Sequence, residues 1–139
     1  MNSIIVDNDM DLDAYLLFTN AIRSPLTRQK YFGRLNSFFD FILIPVGALD
    51  ERCKIFVSKH NENPKYSLNC VYRFVIHLKE KMQRSEIVIS TIYNYLKSIK
   101  LLCEINETSI KWKKITIGLP KERKYAGDKA PTLEEMEAH

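Results

Sequence analysis

Apolar residues recur at helical spacing along most of this chain, and no alternation of apolar and polar residues lasts long enough to predict a strand. Helical spacing places the apolar side chains of a segment on one side of a helix. We therefore predict an all-α protein, a small orthogonal bundle of about five helices. The predicted core positions of its three longest helices are Phe32, Leu35, Phe38, Phe39, Ile42, Val71, Phe74, Val75, Leu78, Met82, Ile92, Leu96, Ile99, Leu102 and Cys103.

Turn formers and capping residues mark where these helices begin and end. The first helix, over residues 11–23, is predicted to bury Leu12, Leu16 and Ile22. Pro25 suits the first position of the second helix, because its missing N–H leaves no hydrogen bond unmade there. The later helical segments are predicted over residues 25–43, 51–60, 67–84, a last long segment that includes 92–103, and a short one around 109–115. The predicted N-caps are Ser24, Asp50, Ser67 and either Ser85 or Ser90.

The helical pattern fails after Gly118. The thirteen residues 118–130 are basic and contain glycine and proline, and at about 3.3–3.6 Å per residue they span up to roughly 45 Å, more than the width of a DNA duplex. Thr132 and Glu135 then form the typical start of a capped helix. The predicted organisation is a helical domain over 1–117 with residues 1–10 flexible, a basic interdomain linker over 118–130, and the truncated start of a second domain over 131–139.

The net charge of +4 is unevenly distributed. Residues 1–13 contain four aspartates and no lysine or arginine, so the rest of the chain has 21 basic and 13 acidic residues. Residues 97–124 concentrate the positive charge, with eight basic residues and three acidic ones. Such a stretch favours a nucleic-acid partner, because contacts to phosphates release condensed counterions.

Several classes of protein are disfavoured by the sequence. No apolar run approaches the roughly 18 residues of a membrane helix, and the N-terminus lacks the regions of a secretory signal. The three cysteines lack CxxC spacing, the three histidines lack zinc-motif spacing, and the four glycines form no phosphate loop. We expect a cytoplasmic protein with reduced thiols, no metal, no cofactor and no membrane partner.

Two predicted helices carry hydroxyl, amide and cationic side chains opposite their apolar sides. This mixture of groups can contact phosphates and reach base edges, although ordinary solvated helix faces have the same composition. The candidate DNA-binding residues are Thr27, Lys30, Tyr31 and Arg34 on the second helix, and Ser90, Tyr93, Asn94, Lys97 and Lys100 on the last long helix. The basic C-terminal stretch adds Lys111, Lys113, Lys114, Lys121, Arg123 and Lys124.

Four segments together resemble the N-terminal core-binding domain of the tyrosine recombinases, the family of phage integrases and chromosome-dimer resolvases. In chain order they are DLDAYLLFTNAIR, SPLTRQKYFGRLNSFFDFI, SEIVISTIYNYLKSIKLLCEIN and LPKERKYAGDKAPTLEEMEAH. The resemblance implies a SAM-like helical domain that grips one face of a duplex during DNA integration or recombination. It implies DNA contacts from Thr27, Lys30, Tyr31, Arg34, Thr91, Asn94, Lys97 and Lys100.

The resemblance also implies what the chain lacks and what it binds. The catalytic residues of the family lie in a second domain, and no residue here matches them, so this chain is not expected to be an enzyme. The implied partners are double-stranded DNA, the catalytic domain of the same protein and other recombinase subunits on DNA. The alternative is a helical protein-interaction module without nucleic-acid binding, for which we would expect an exposed apolar groove and binding insensitive to salt.

Overall fold

A computed structural model describes residues 13–121, and all regular structure within this range is helical. The helices pack against one another, which confirms the predicted small all-α bundle. The short sixth helix corresponds to the segment predicted around Trp112. The helices are α1 (Ala14–Asn20), α2 (Pro25–Phe41), α3 (Leu49–Glu62), α4 (Pro64–Gln83), α5 (Ile89–Ile105) and α6 (Trp112–Thr116).

An aromatic cluster around Phe38 of α2 forms the centre of the bundle. The ring centroid of Phe38 lies 5.5 Å from that of Phe56 in α3 and 5.2 Å from that of Phe74 in α4. Phe74 in turn meets Tyr95 of α5 edge to face, with centroids 5.2 Å apart. Rings at such separations attract each other in addition to burying apolar surface. One cluster of side chains therefore joins four helices.

The predicted core positions of α2, α4 and α5 are confirmed. Most are buried, and Phe32, Ile42 and Met82 are partly buried against the same core. In α1 the prediction for Leu16 is wrong, since its side chain is 51% exposed. The inward residues of this short helix are Ala14 and Phe18, one turn apart, and Leu16 lies on the opposite side. Ile22 is buried as predicted, and Leu12 lies outside the described residues.

Side-chain caps begin α1 and α2. The Asp13 carboxylate accepts a hydrogen bond from the Leu16 N–H at 3.0 Å. The predicted cap Ser24 is confirmed, because its Oγ accepts from the Thr27 N–H at 3.3 Å and Pro25 occupies the first helical position. These bonds satisfy N–H groups that have no partner inside the helix.

The predicted caps of α3 and α4 are wrong. Asp50 lies inside the first turn of α3, where its Oδ1 accepts from the next N–H, and the cap position is Ala48. Ser67 is buried inside α4, with its Oγ 2.8 Å from Nδ1 of His60. Asn63 caps α4 instead, and its Oδ1 accepts from the Lys65 N–H at 3.1 Å. A single residue therefore separates these two helices.

The predicted cap of α5 is also wrong. Ser85 lies in the preceding connection with a φ of 62°, and Ser90 lies inside the first turn of the helix. The cap position is Val88, which offers no side-chain acceptor. The apolar pattern located this helix correctly, but neither serine meets its first N–H groups.

A buried arginine ties α3 to the end of α2. Arg52 is 3% exposed, and its Nη1 donates to Oδ1 of Asn36 at 3.0 Å. Its Nη2 donates to Oδ1 of Asp40 at 2.8 Å and to the carbonyl of Ile44 at 2.9 Å. A buried charge requires such partners, because burying it unpaired is costly. The connection after α2 is therefore held by a polar anchor as well as by the aromatic cluster.

Phe38→Ala should lower the free energy of unfolding by about 3–5 kcal/mol, because it removes a buried ring and leaves a cavity where several helices meet. Urea unfolding followed by circular dichroism measures this loss. Phe41→Ala on the same helix is the matched control, since Phe41 is 37% exposed and should lose about half as much or less. Equal losses in the two variants would contradict the central position of Phe38.

Candidate nucleic-acid interface

Helices α2 and α5 pack directly against each other. Each is 17 residues long, and each carries one of the two groups of predicted DNA-binding residues. The two groups are about sixty residues apart along the chain, yet they lie on neighbouring helices. Only the tertiary packing of α2 against α5 brings the two groups near each other.

On α2 the predicted residues differ in exposure. Lys30 is exposed, whereas Thr27, Tyr31 and Arg34 are half-buried. The Tyr31 ring packs 6.3 Å from the ring of Phe18 in α1, and the Arg34 guanidinium carbon lies 5.5 Å from the Tyr31 ring centroid. Tyr31 thus supports the arginine from the side of the core, an arrangement typical of a cation–π pair.

On α5 three of the predicted residues are exposed and three are half-buried. Ser90, Lys97 and Lys100 are exposed, and Thr91, Tyr93 and Asn94 are half-buried. The Tyr93 hydroxyl donates to the carbonyl of Pro120 at 2.9 Å. This tyrosine therefore connects α5 to the segment that follows α6.

Acidic residues are absent from most of both helices. Neither residues 25–39 of α2 nor residues 89–103 of α5 include an Asp or Glu. Asp40 and Glu104 follow at the C-terminal ends, and Asp40 is paired with Arg52 at 2.8 Å. Positive charge is therefore not balanced within either helix over about four turns.

Exposed cations also occur outside this pair of helices. Helix α3 balances three basic residues with three acidic ones, whereas α4 has four basic residues and one acidic residue. Lys65 and Arg73 of α4 are exposed. Positive charge therefore extends beyond α2 and α5 onto α4.

The lysines of the α6 region lie beside α4. Lys111, Lys113 and Lys114 are exposed, and α6 packs against α4. A surface groove of about 510 Å³ lies between these two helices. Its lining, which defines the α4–α6 groove, consists of Leu68, Asn69, Tyr72, Lys113, Lys114 and Ile117.

Part of this groove lining was not singled out by the sequence analysis. Tyr72 is 47% exposed and Ile117 is 82% exposed, so both present apolar surface to solvent. The available signal was a second apolar row on α4, in which Leu68, Tyr72 and Ile76 follow one another at intervals of four. The stronger row of core residues on the same helix concealed it.

The first residues of the predicted linker pack against the bundle. Leu119 is buried with the hydrophobic core, and the Pro120 carbonyl accepts the hydrogen bond from Tyr93. Lys121 is exposed. Arg123 and Lys124, also predicted to bind DNA, lie outside the described residues, as do residues 131–139.

The three cysteines are free thiols in a poor environment for nucleophilic chemistry. Burial, with smaller contributions from Asp13 and Asp50, raises the pKa of Cys53 to about 12. Burial likewise raises the pKa of Cys103. It also raises the pKa of Cys70, although this thiol is only half-buried. A raised pKa leaves less of the reactive thiolate at any given pH.

Residues 13–121 contain neither a cluster of metal ligands nor a candidate membrane span. No group of three His, Cys, Asp or Glu side chains is placed to hold a metal ion. No helix in this part of the chain is both long enough and apolar enough to cross a bilayer.

No protein-family model, curated protein or solved structure matches the chain. The function is therefore inferred from the residues and geometry of the chain itself.

Thiol reactivity tests the description of the cysteines. At pH 8 the rise of the Cys53 pKa from 9.0 to about 12 lowers its thiolate fraction about a thousandfold, and because a thiolate of higher pKa is more nucleophilic, its modification by a disulfide reagent should be slowed about 30- to 60-fold relative to an unshifted thiol. Cys70 should react first, because it is only half-buried. In urea all three should react at a similar, fast rate. Fast reaction of Cys53 in the folded chain would contradict its burial.

Proposed function

We propose that this chain is the DNA-binding domain of a site-specific tyrosine recombinase or integrase, and that it grips one face of a duplex. The observation that carries the proposal is the direct packing of α2 against α5, two helices without acidic residues over about four turns each. Their exposed lysines, Lys30, Lys97 and Lys100, suit phosphate contacts, which supply most of the affinity of such domains.

The chemistry of the two helices suits distinct roles in DNA recognition. Lysine side chains neutralise phosphates, whereas Arg34 and Asn94 have the planar groups that recognise base edges. Helix α5 has no side-chain cap at its N-terminus, so a phosphate there benefits from its N–H groups and helix dipole. Ser90 adds an exposed hydroxyl at the same end.

The start of the C-terminal segment supports a clamp around the duplex. The hydrogen bond between Tyr93 and Pro120 holds this segment beside α5, one of the two proposed DNA-binding helices. Lys121 and the basic residues after it then continue from that point. In this proposal the linker crosses the duplex toward a catalytic domain, and the present chain positions the DNA without cutting it.

One observation favours the alternative, a helical protein-interaction module. The α4–α6 groove exposes apolar surface of Tyr72 and Ile117, as a docking site for another protein would. The two functions differ in their dependence on salt. DNA binding through phosphates weakens steeply as salt increases, whereas docking in an apolar groove does not.

The variant Lys30→Ala/Lys100→Ala, with one change on each helix, tests the proposed interface. If both lysines neutralise phosphates, the slope of log K against log salt should become shallower by about two. Fluorescence anisotropy with a labelled duplex of arbitrary sequence at several salt concentrations measures the slope.

The matched control is Lys54→Ala/Lys65→Ala, which removes the same charge from exposed positions on α3 and α4. Its slope should stay close to that of the unchanged chain. Equal slopes for the two double variants would reject α2 and α5 as the interface. Failure of the unchanged chain to bind any duplex at low salt would reject DNA binding altogether.

Arg34→Ala tests base recognition. If the guanidinium contacts a base, the change should weaken specific binding by about 1–3 kcal/mol and relax the preference at one base position. Selection of duplexes from a random pool measures the preference. Arg73 is an exposed arginine of α4, and the control variant Arg73→Ala should not relax the preference at any base position. An unchanged preference in Arg34→Ala would exclude this contact.

A further inference from the structure

The α4–α6 groove combines uncovered apolar surface with two cations. Leu68, Asn69 and Tyr72 line it from α4. Lys113 and Lys114 of α6 and Ile117, just after α6, complete the lining. Ile117 is 82% exposed and Tyr72 is 47% exposed, so adjacent apolar side chains of the groove face solvent. An occupant should therefore have aliphatic side chains followed closely by carboxylates.

We propose that the acidic N-terminal segment of the chain, residues 4–11, docks in the α4–α6 groove. This segment has the sequence IIVDNDMD, with three consecutive aliphatic residues followed by Asp7, Asp9 and Asp11. It contains no lysine or arginine. The aliphatic residues match the apolar part of the groove, and the aspartates match Lys113 and Lys114.

The described structure places Asp13, the residue to which this segment is attached, near the end of the bundle where α4 begins. The Ala14 carbonyl accepts a hydrogen bond from Nδ2 of Asn106, just after α5 ends. Asp13, Asn61 and Asn106 line one shared cavity, and α4 begins three residues after Asn61. Asp13, which joins the N-terminal segment to the bundle, therefore lies where α3 and α5 end and α4 begins.

The groove is within reach from this point. Leu68 lies four residues into α4, about 6 Å along the helix from its first residue. With Ile4, Ile5 and Val6 in the groove, the six residues 7–12 connect them to Asp13 and span up to roughly 20 Å when extended. The segment can therefore reach the groove without any change in the helices.

The energetics favour docking within one chain. Surface pairs between aspartate and lysine contribute little by themselves, so burial of aliphatic side chains must supply most of the affinity. A short tether raises the effective concentration of the segment to the millimolar range. Weak binding is then sufficient to fill the groove. Because Lys113 and Lys114 are also predicted DNA contacts, a duplex would compete with the segment, but the docking itself does not depend on DNA binding.

Zero-length cross-linking with a carbodiimide tests the proposal on the full chain, without DNA and at about 0.15 M salt. The reagent joins a carboxylate to an amine only when they are in contact. We expect the main products to join Asp7, Asp9 or Asp11 to Lys113 or Lys114, assigned by mass spectrometry of the digested chain. Lys54, which shares a cavity with Asp13, provides an internal reference for proximity.

Matched variants separate docking from chance proximity. Ile117→Ser should lower the yield of these products about threefold, and Ile5→Ser/Val6→Ser about tenfold, because each removes apolar contact. Val88→Ser replaces an aliphatic residue that is 62% exposed and outside the groove, so the yield should not change. Equal yields in Ile117→Ser and Val88→Ser would overturn the proposal.

The same cross-linking experiment would identify other occupants of the groove, and each of these results would also overturn the proposal. Cross-links from Glu134, Glu135 or Glu137 to Lys113 would assign the groove to the C-terminal segment. Products that join labelled to unlabelled chains in an isotopic mixture would assign it to a second copy. Aspartate products spread evenly over Lys54, Lys59 and Lys65 would show that the segment has no preferred site.

Discussion

The ring of Phe38 occupies the space where α2, α3 and α4 converge, and its contacts with Phe56 and Phe74 set how these helices meet. Phe74 extends the same cluster to Tyr95 of α5. Close packing of this kind allows few alternative arrangements, because a shifted ring would leave a cavity or a clash. The relation between α2 and α5, and with it the proposed DNA-binding surface, therefore depends on the aromatic centre of the bundle.

Polar anchors at the periphery complete what the aromatic centre begins. Arg52 joins α3 to the end of α2 through Asp40 and the Ile44 carbonyl, and His60 meets Ser67 across the junction of α3 and α4. Buried groups of this kind need specific partners, so they favour one arrangement of the connections. With these connections held, the lysines of α2 and α5 stay on outer surfaces while the apolar rows face inward.

The two proposals use one chemistry at different places. On α2 and α5, exposed lysines on helices that contain no Asp or Glu over about four turns suit the phosphates of a duplex. In the α4–α6 groove, cations beside exposed apolar surface suit a segment that is both acidic and aliphatic. The apolar part of the groove distinguishes the two proposed ligands, because a charged DNA backbone gains little binding energy from contact with Tyr72 and Ile117. Lys113 and Lys114 lie where the two kinds of ligand would meet.

The sequence by itself determined the helical class, the core rows of α2, α4 and α5, and the start of α2 at Ser24, because apolar spacing and an N-cap followed by proline act locally. It also picked out the helices that carry the candidate DNA contacts. Tertiary structure alone decided that α2 and α5 are neighbours, that α6 lies on α4, that Arg52 is buried and that Leu16 is exposed. Ser67 shows the reason: its hydroxyl suits a cap, but packing of α3 against α4 gives it His60 as a partner. Such partners come from distant parts of the chain, and local spacing carries no information about them.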